Sequence, residues 1–287
     1  MNHLVRIVVY RYGRVPDGEL SLILDVMEEC YSRLMPHEVS LVDLYVFENS
    51  SLAESFLMRE RMNLGISTTP FLEETFFATH DAWRGIPRIA LFLDKMRALP
   101  ELVRVGGIRH EVGHTVLHGS LEYYLLALPP SLLQAVDKFN IPIEYARNIL
   151  YLASIAVKDY EVTRLLYAHG YVNDQVEYVG FLLRDNRDET LSWRLSSGNS
   201  LLEALHMMSL LKVIGCAAPL LADENFGGKM RADLTRYLNH LPEERSRALM
   251  DIAEKSFMRL RGDTIQNINS VMEDCIAIFS KVFRNVR

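Results

Sequence analysis

Apolar residues in short unbroken or alternating runs predict strands in roughly the first 95 residues of the chain. Helical spacing takes over afterwards. Residues 4–10 are β-branched and few, and Gly13 with Pro16-Asp17-Gly18 follows them as turn signals. Leu20, Leu22, Ile23, Val26 and Met27 recur at helical intervals over 19–34, and Pro36 stops that helix. A second strand is expected over 40–47. Asn49-Ser50-Ser51 then caps a helix over 52–63. Residues 65–74 read as a loop, 76–79 as a short edge strand and 88–93 as the clearest remaining strand.

The rest of the chain reads as helix. One helix is expected over 109–127, stopped by Pro129-Pro130, and a long one runs from Pro142 to about 168 and ends at Gly170. Others are expected over 173–184, 200–213, 228–239, 243–260 and 263–284. The class is α+β: a small mixed sheet packed on helices, followed by a mainly helical C-terminal half. The expected division is an α/β part over 1–128 and a helical part over 129–287 that supplies the far wall of a cleft.

Composition narrows the possibilities. The chain has 287 residues, 49% of them hydrophobic, enough for one sizeable core or two modest ones. Charged residues make up 24%, which speaks against disorder, and the formal charge of -6 argues against nucleic acid as a partner. Cys30, Cys216 and Cys275 form no CxxC pair and read as buried thiols of a reducing, cytoplasmic compartment. Residues 4–10 are too short for a leader, and Arg6 interrupts them. Residues 201–222 come closest to a membrane span, but Glu203, His206 and Lys212 break the run, so no transmembrane segment is expected. Oligomeric state stays open.

The candidate chemistry lies in His110-Glu111-Val112-Gly113-His114. On a helix His110 and His114 differ by about 40° around the axis and about 6 Å along it, so their rings can converge on one ion. Glu111 flanks that point and suits a general base acting on water. His118 lies about 80° round and about 12 Å along from His110, so it reads as a pocket wall or a partner to a ligand, with a third ligand or an ordinary surface residue as the alternatives. A catalytic zinc wants a third protein ligand. Glu161 is the first choice, because it shares a helix side with Leu150, Ser154, Val157, Leu165 and Ala168, and a buried carboxylate needs a cation or hydrogen bonds. A plain ion pair with Arg164 is the simpler reading, and Asp159 and Glu122 remain alternatives for the ligand. Tyr123, Tyr124, Arg164, Tyr167, His169 and His206 are candidate donors to an oxyanion.

The string from His110 to His118 resembles the zincin metallopeptidases, in the gluzincin-type branch whose third ligand is a Glu from a downstream helix. With Leu117-His118 it is also similar to small intracellular zincin-like domains that cleave or sense regulatory proteins. The matched pattern covers about nine residues; the next His falls four places after His114, not six as in the Met-turn group, and Arg164 stands where a small residue is usual. The resemblance implies an active helix packed on a sheet whose edge strand binds an extended peptide. It implies Zn2+ held by His110, His114 and Glu161, with Glu111 as the base. The implied activity is hydrolysis of a peptide bond in a peptide or protein substrate. Two other readings compete. One is a catalytically silent metal-binding regulatory module. The other is a helical interaction protein using Met207, Met208, Met230, Met250, Met258 and Met272, although such methionines are more simply core.

Overall fold

The computed structural model describes residues 4–64, 77–184 and 186–284. By contact the chain divides into two units. The first is Met1–Tyr124 with Asn173–Gln175, and the second is Leu125–Val172 with Val176–Arg287.

The first unit is built on a four-stranded mixed sheet of β1 (Arg6–Tyr12), β2 (Leu41–Phe47), β3 (Ala78–Asp81) and β4 (Arg88–Phe92). The order is β1-β2-β4-β3, with β1, β2 and β4 parallel and β3 antiparallel to β4. Its helices are α1 (Asp17–Arg33), α2 (Ser50–Leu64), α3 (Leu93–Arg97) and α4 (Glu101–His118). Every residue of β4 is buried, as expected of a strand covered on both faces. Tyr45, Phe47, Ala90 and Phe92 pack with Ala53 of α2, and Tyr12 and Phe56 lie against them. Helix α4 packs against β3 and β4, and α1 packs against α4.

Several expected boundaries shift. The helix expected over 109–127 begins at Glu101, eight residues earlier, and ends at His118. Gly106 and Gly107, poor helix formers, are buried in it, so packing outweighs propensity there. Gly119 closes it at a spot where a side chain would collide with Thr115 O and Pro87 Cγ. A 3-10 turn at Leu121–Tyr123 follows. The edge strand lies two residues later than expected, at Ala78–Asp81. Phe76 and the expected loop over 65–74 fall outside the described residues.

The second unit is helical: α5 (Pro130–Phe139), α6 (Ile143–Ala168), α7 (Val172–Leu182), α8 (Arg187–Ser196), α9 (Ser200–Ala217), α10 (Gly227–Tyr237), α11 (Glu243–Asp251) and α12 (Thr264–Arg284). The single helix expected over 243–260 is interrupted by a π turn at Ile252–Ser256 and a 3-10 turn at Phe257–Arg259. The wider turn changes the helical phase, and Ile252, Ala253, Ser256 and Phe257 are all buried. Helices α6 and α9 cross closely: a Cβ on Gly215 would lie 2.2 Å from Ala156 O. The segment Ser200–Leu220 is long and apolar enough to cross a membrane by length and composition, yet 67% of it is buried inside the protein, as in a core helix. Met207, Met208, Met230 and Met272 are fully buried, so these four are core. All three cysteines are free and buried.

Candidate metal centre

Helix α4 brings His110, Glu111, His114 and His118 together on buried positions. The helical repeat places His110 one turn before His114, and the Nε2 atoms of the two rings come within 3.1 Å. The rings meet edge to face with centroids 4.7 Å apart. Two facing imidazole nitrogens repel unless a proton or a cation lies between them. Two nitrogens on one tetrahedral zinc, each about 2.0–2.1 Å from it, stand about 3.3–3.4 Å apart. The observed separation and the donor set, two imidazoles with an adjacent carboxylate, therefore fit a cation of the zinc class.

The other nitrogen of His114 is also engaged. Its Nδ1 lies 3.3 Å from Nδ1 of His118, which is completely buried. If Nε2 of His114 offers its lone pair to an ion, Nδ1 carries the proton and donates to His118. A histidine ligand needs such a partner to fix its tautomer and ring plane. Tyr123 meets the His118 ring edge-on at 5.3 Å.

His80, on β3, belongs to no motif in the sequence. Its Nδ1 lies 2.7 Å from Glu111 Oε2, and its ring stacks on His114 with centroids 3.7 Å apart. A carboxylate accepts, so the His80 Nδ1–H donates to Glu111 and leaves Oε1 as the oxygen His80 does not engage. His80, Glu111 and His114 each bring one potential ligand atom within 4.8 Å of the others. The signal for His80 is weak: one polar residue on a four-residue strand, 31 residues from its partner.

The helix is held in register by side chains behind the site. Thr115 Oγ1 donates to Val112 O at 2.8 Å and, 2.7 Å from Tyr31 Oη, accepts the phenolic proton. Burial pushes the Tyr31 phenol well above its ordinary range. Arg109 bridges Glu29 and Asp174, at 3.0 and 2.9 Å. Gln175 Nε2 donates to Gly106 O at 3.0 Å. On β4 the buried Arg88 guanidinium pairs with Asp81 of β3 and Glu60 of α2, tying the edge strand to the sheet.

Glu161 and Asp159 are buried in α6, in the helical unit. Thr264 Oγ1 donates to Glu161 Oε2 at 2.8 Å, and Asn267 Nδ2 to Oε1 at 2.6 Å. Glu122 is exposed in the 3-10 turn after α4. Among the candidate oxyanion donors, Tyr167 donates to Asp223, Arg164 to Leu260 O and His169 Nδ1 to Leu165 O. Lys158, beside Asp159, is lowered to about 8 by burial, against the opposing charges of Asp159 and Glu161. No family model matches the chain, and no curated protein or solved structure matches it.

Proposed function

We propose that the chain is a zinc-dependent peptide-bond hydrolase, with His110 and His114 as metal ligands and Glu111 as the general base. The observation that carries this reading is the 3.1 Å approach of the two Nε2 atoms, with the Glu111 carboxylate one residue from His110. A bound zinc ion supplies Lewis acidity toward a carbonyl and acidity to water. Glu111 takes the proton of the attacking water and returns it to the leaving amine, while the His80 Nδ1–H holds its Oε2 in place. Among the described residues β3 has β4 as its one neighbour in the sheet, so its other edge can pair with an extended peptide running past His80. Glu161 enters as third ligand on the resemblance alone, since Thr264 and Asn267 already give it a structural place.

A second reading has its own observation. If His80, Glu111 and His114 are themselves the ligands, Glu111 is not free to act as a base, and the site holds a metal without turning over. One variant separates the two. Glu111→Gln is purified beside the parent, zinc is measured by elemental analysis, and cleavage of an unbiased peptide mixture is read by mass spectrometry. The hydrolase reading expects the zinc content of Glu111→Gln to equal the parent's, with cleavage by the parent alone. Loss of zinc from Glu111→Gln, with no cleavage by the parent, selects the silent site.

A further inference from the structure

The helical unit holds a histidine pair of its own. His206, on α9, brings Nε2 to 3.2 Å from Nε2 of His240, in the 3-10 turn Leu238–His240 that follows α10. The rings meet edge to face with centroids 5.5 Å apart. His206 is buried, and His240 is half-buried, which leaves one side of the pair within reach of solvent.

The outer nitrogens decide what faces what. His240 Nδ1 lies 2.9 Å from the carbonyl oxygen of Tyr237. A carbonyl can only accept, so Nδ1 carries the proton and the neutral ring presents a lone pair at Nε2. His206 Nδ1 lies 3.2 Å from Ser192 Oγ and 3.7 Å from Glu189 Oε2. Tyr237 Oη donates to the other oxygen of that carboxylate, at 3.3 Å. Ser192 Oγ is the hydrogen-bond partner of that Nδ1, and the Glu189 charge 3.7 Å away favours the proton there, which leaves a second lone pair at Nε2. Two lone pairs 3.2 Å apart repel, and a cation between them removes the repulsion. The separation is close to the roughly 3.3–3.4 Å of two nitrogens on one tetrahedral zinc.

We infer that His206 and His240 form a second metal site, for a divalent cation of the zinc, nickel or copper class, with Glu189 and the Tyr237 carbonyl orienting the two rings. Water completes the coordination. Burial, with the neighbouring His240, holds His206 down to about 4, and burial lowers His240 as well. The rival arrangement is a closed chain of neutral groups, in which Ser192 Oγ–H donates to His206 Nδ1 and His206 Nε2–H donates to His240 Nε2. That chain needs no ion.

The intact, chelator-stripped protein is titrated with Zn2+ by equilibrium dialysis, beside His240→Gln and Glu189→Gln. The inference expects His240→Gln to bind one equivalent fewer per chain than the parent. It expects Glu189→Gln, which keeps both Nε2 atoms, to bind that equivalent about 10–100-fold more weakly. Binding by a folded His240→Gln that equals the parent's overturns the inference and leaves the neutral chain. Should His240→Gln fail to fold, Glu189→Gln decides, because unchanged affinity there overturns it too. The outcome does not depend on the proposed hydrolase: a parent that binds a single equivalent, lost in His240→Gln, keeps this site and removes the one on α4.

Discussion

His80 Nδ1 lies 2.7 Å from Glu111 Oε2, joining β3 to the helix that carries His110 and His114. The bond fixes one carboxylate oxygen and sets the direction of the other. Replacing His80 by Ala leaves Glu111 free to rotate, with the His110 and His114 nitrogens untouched. The expected result is retained zinc, an unchanged KM and a kcat lower by about 10–100-fold, the usual loss when a group's outer partner is removed. Steady-state kinetics with elemental analysis on the same preparation reads both. Zinc lost from His80→Ala would instead make His80 a ligand.

His118 is completely buried with Nδ1 3.3 Å from Nδ1 of His114. In the proposed site it would accept the His114 proton and hold that ring in the tautomer that leaves the Nε2 lone pair for a metal ion. His118→Ala therefore weakens zinc binding by about 10–100-fold without removing a ligand. Competition against a chelator of known affinity measures this. His118→Asn, which keeps an acceptor, restores part of the loss, and that rescue sets a positioning role apart from mere packing.

How far the site can be read from the chain depends on sequence distance. The pairing of His110 with His114 follows from the helical repeat alone, so four residues of spacing suffice to place both nitrogens. His118 follows from the same repeat with less certainty of role. His80 could not be placed that way, because its contact with Glu111 depends on where β3 begins and how it pairs with β4. The fold shows the same division. The strands at Leu41–Phe47 and Arg88–Phe92 are visible as apolar runs. The start of α4 at Glu101 is hidden because Gly106-Gly107 reads as a break until burial is known. Helix α5 is masked by Pro129-Pro130, which reads as a stop although Pro130 is its first residue. Helix α8 is mostly polar, with Trp193 and Ser196 its buried residues, so its sequence carries little apolar periodicity.

Asp94 caps a helix that is not its own. Ser50 donates to it twice, from the backbone N–H at 3.0 Å and from Oγ at 2.9 Å, at the start of α2. Partial burial pushes the Asp94 carboxyl up, but the bonds from Ser50, with the backbone N–H and the charge of Lys95, together outweigh that and hold it below its ordinary value. A lowered folded pKa means the unfolded chain binds the proton more readily. The stabilisation is therefore complete above the ordinary carboxylate pKa of about 3.9 and is lost as pH falls through the lower folded value. Asp94→Asn is expected to flatten the dependence of the unfolding midpoint on pH below about 4. At neutral pH it should cost about 0.5–1 kcal/mol, the scale of a lost helix cap. Urea unfolding of parent and variant at several pH values checks both statements.

Glu161 is buried in α6 with Thr264 Oγ1 and Asn267 Nδ2 as donors at 2.8 and 2.6 Å, which ties the middle of α6 to the first turn of α12. Cutting the side chain back to Ala leaves two buried donors without their acceptor. Each such loss costs about 1–3 kcal/mol, so Glu161→Ala should lower the thermal midpoint by several degrees. Glu161→Gln is expected to cost less, because its amide oxygen still accepts one of the two bonds. That ordering follows from the hydrogen bonds alone and requires no metal. Zinc content measured on the folded Glu161→Gln protein then isolates the ligand role, since the amide keeps the shape and discards the charge. Zinc retained at the parent's level removes Glu161 from the ligand set, whereas zinc lost from a variant of near-parent stability establishes it there.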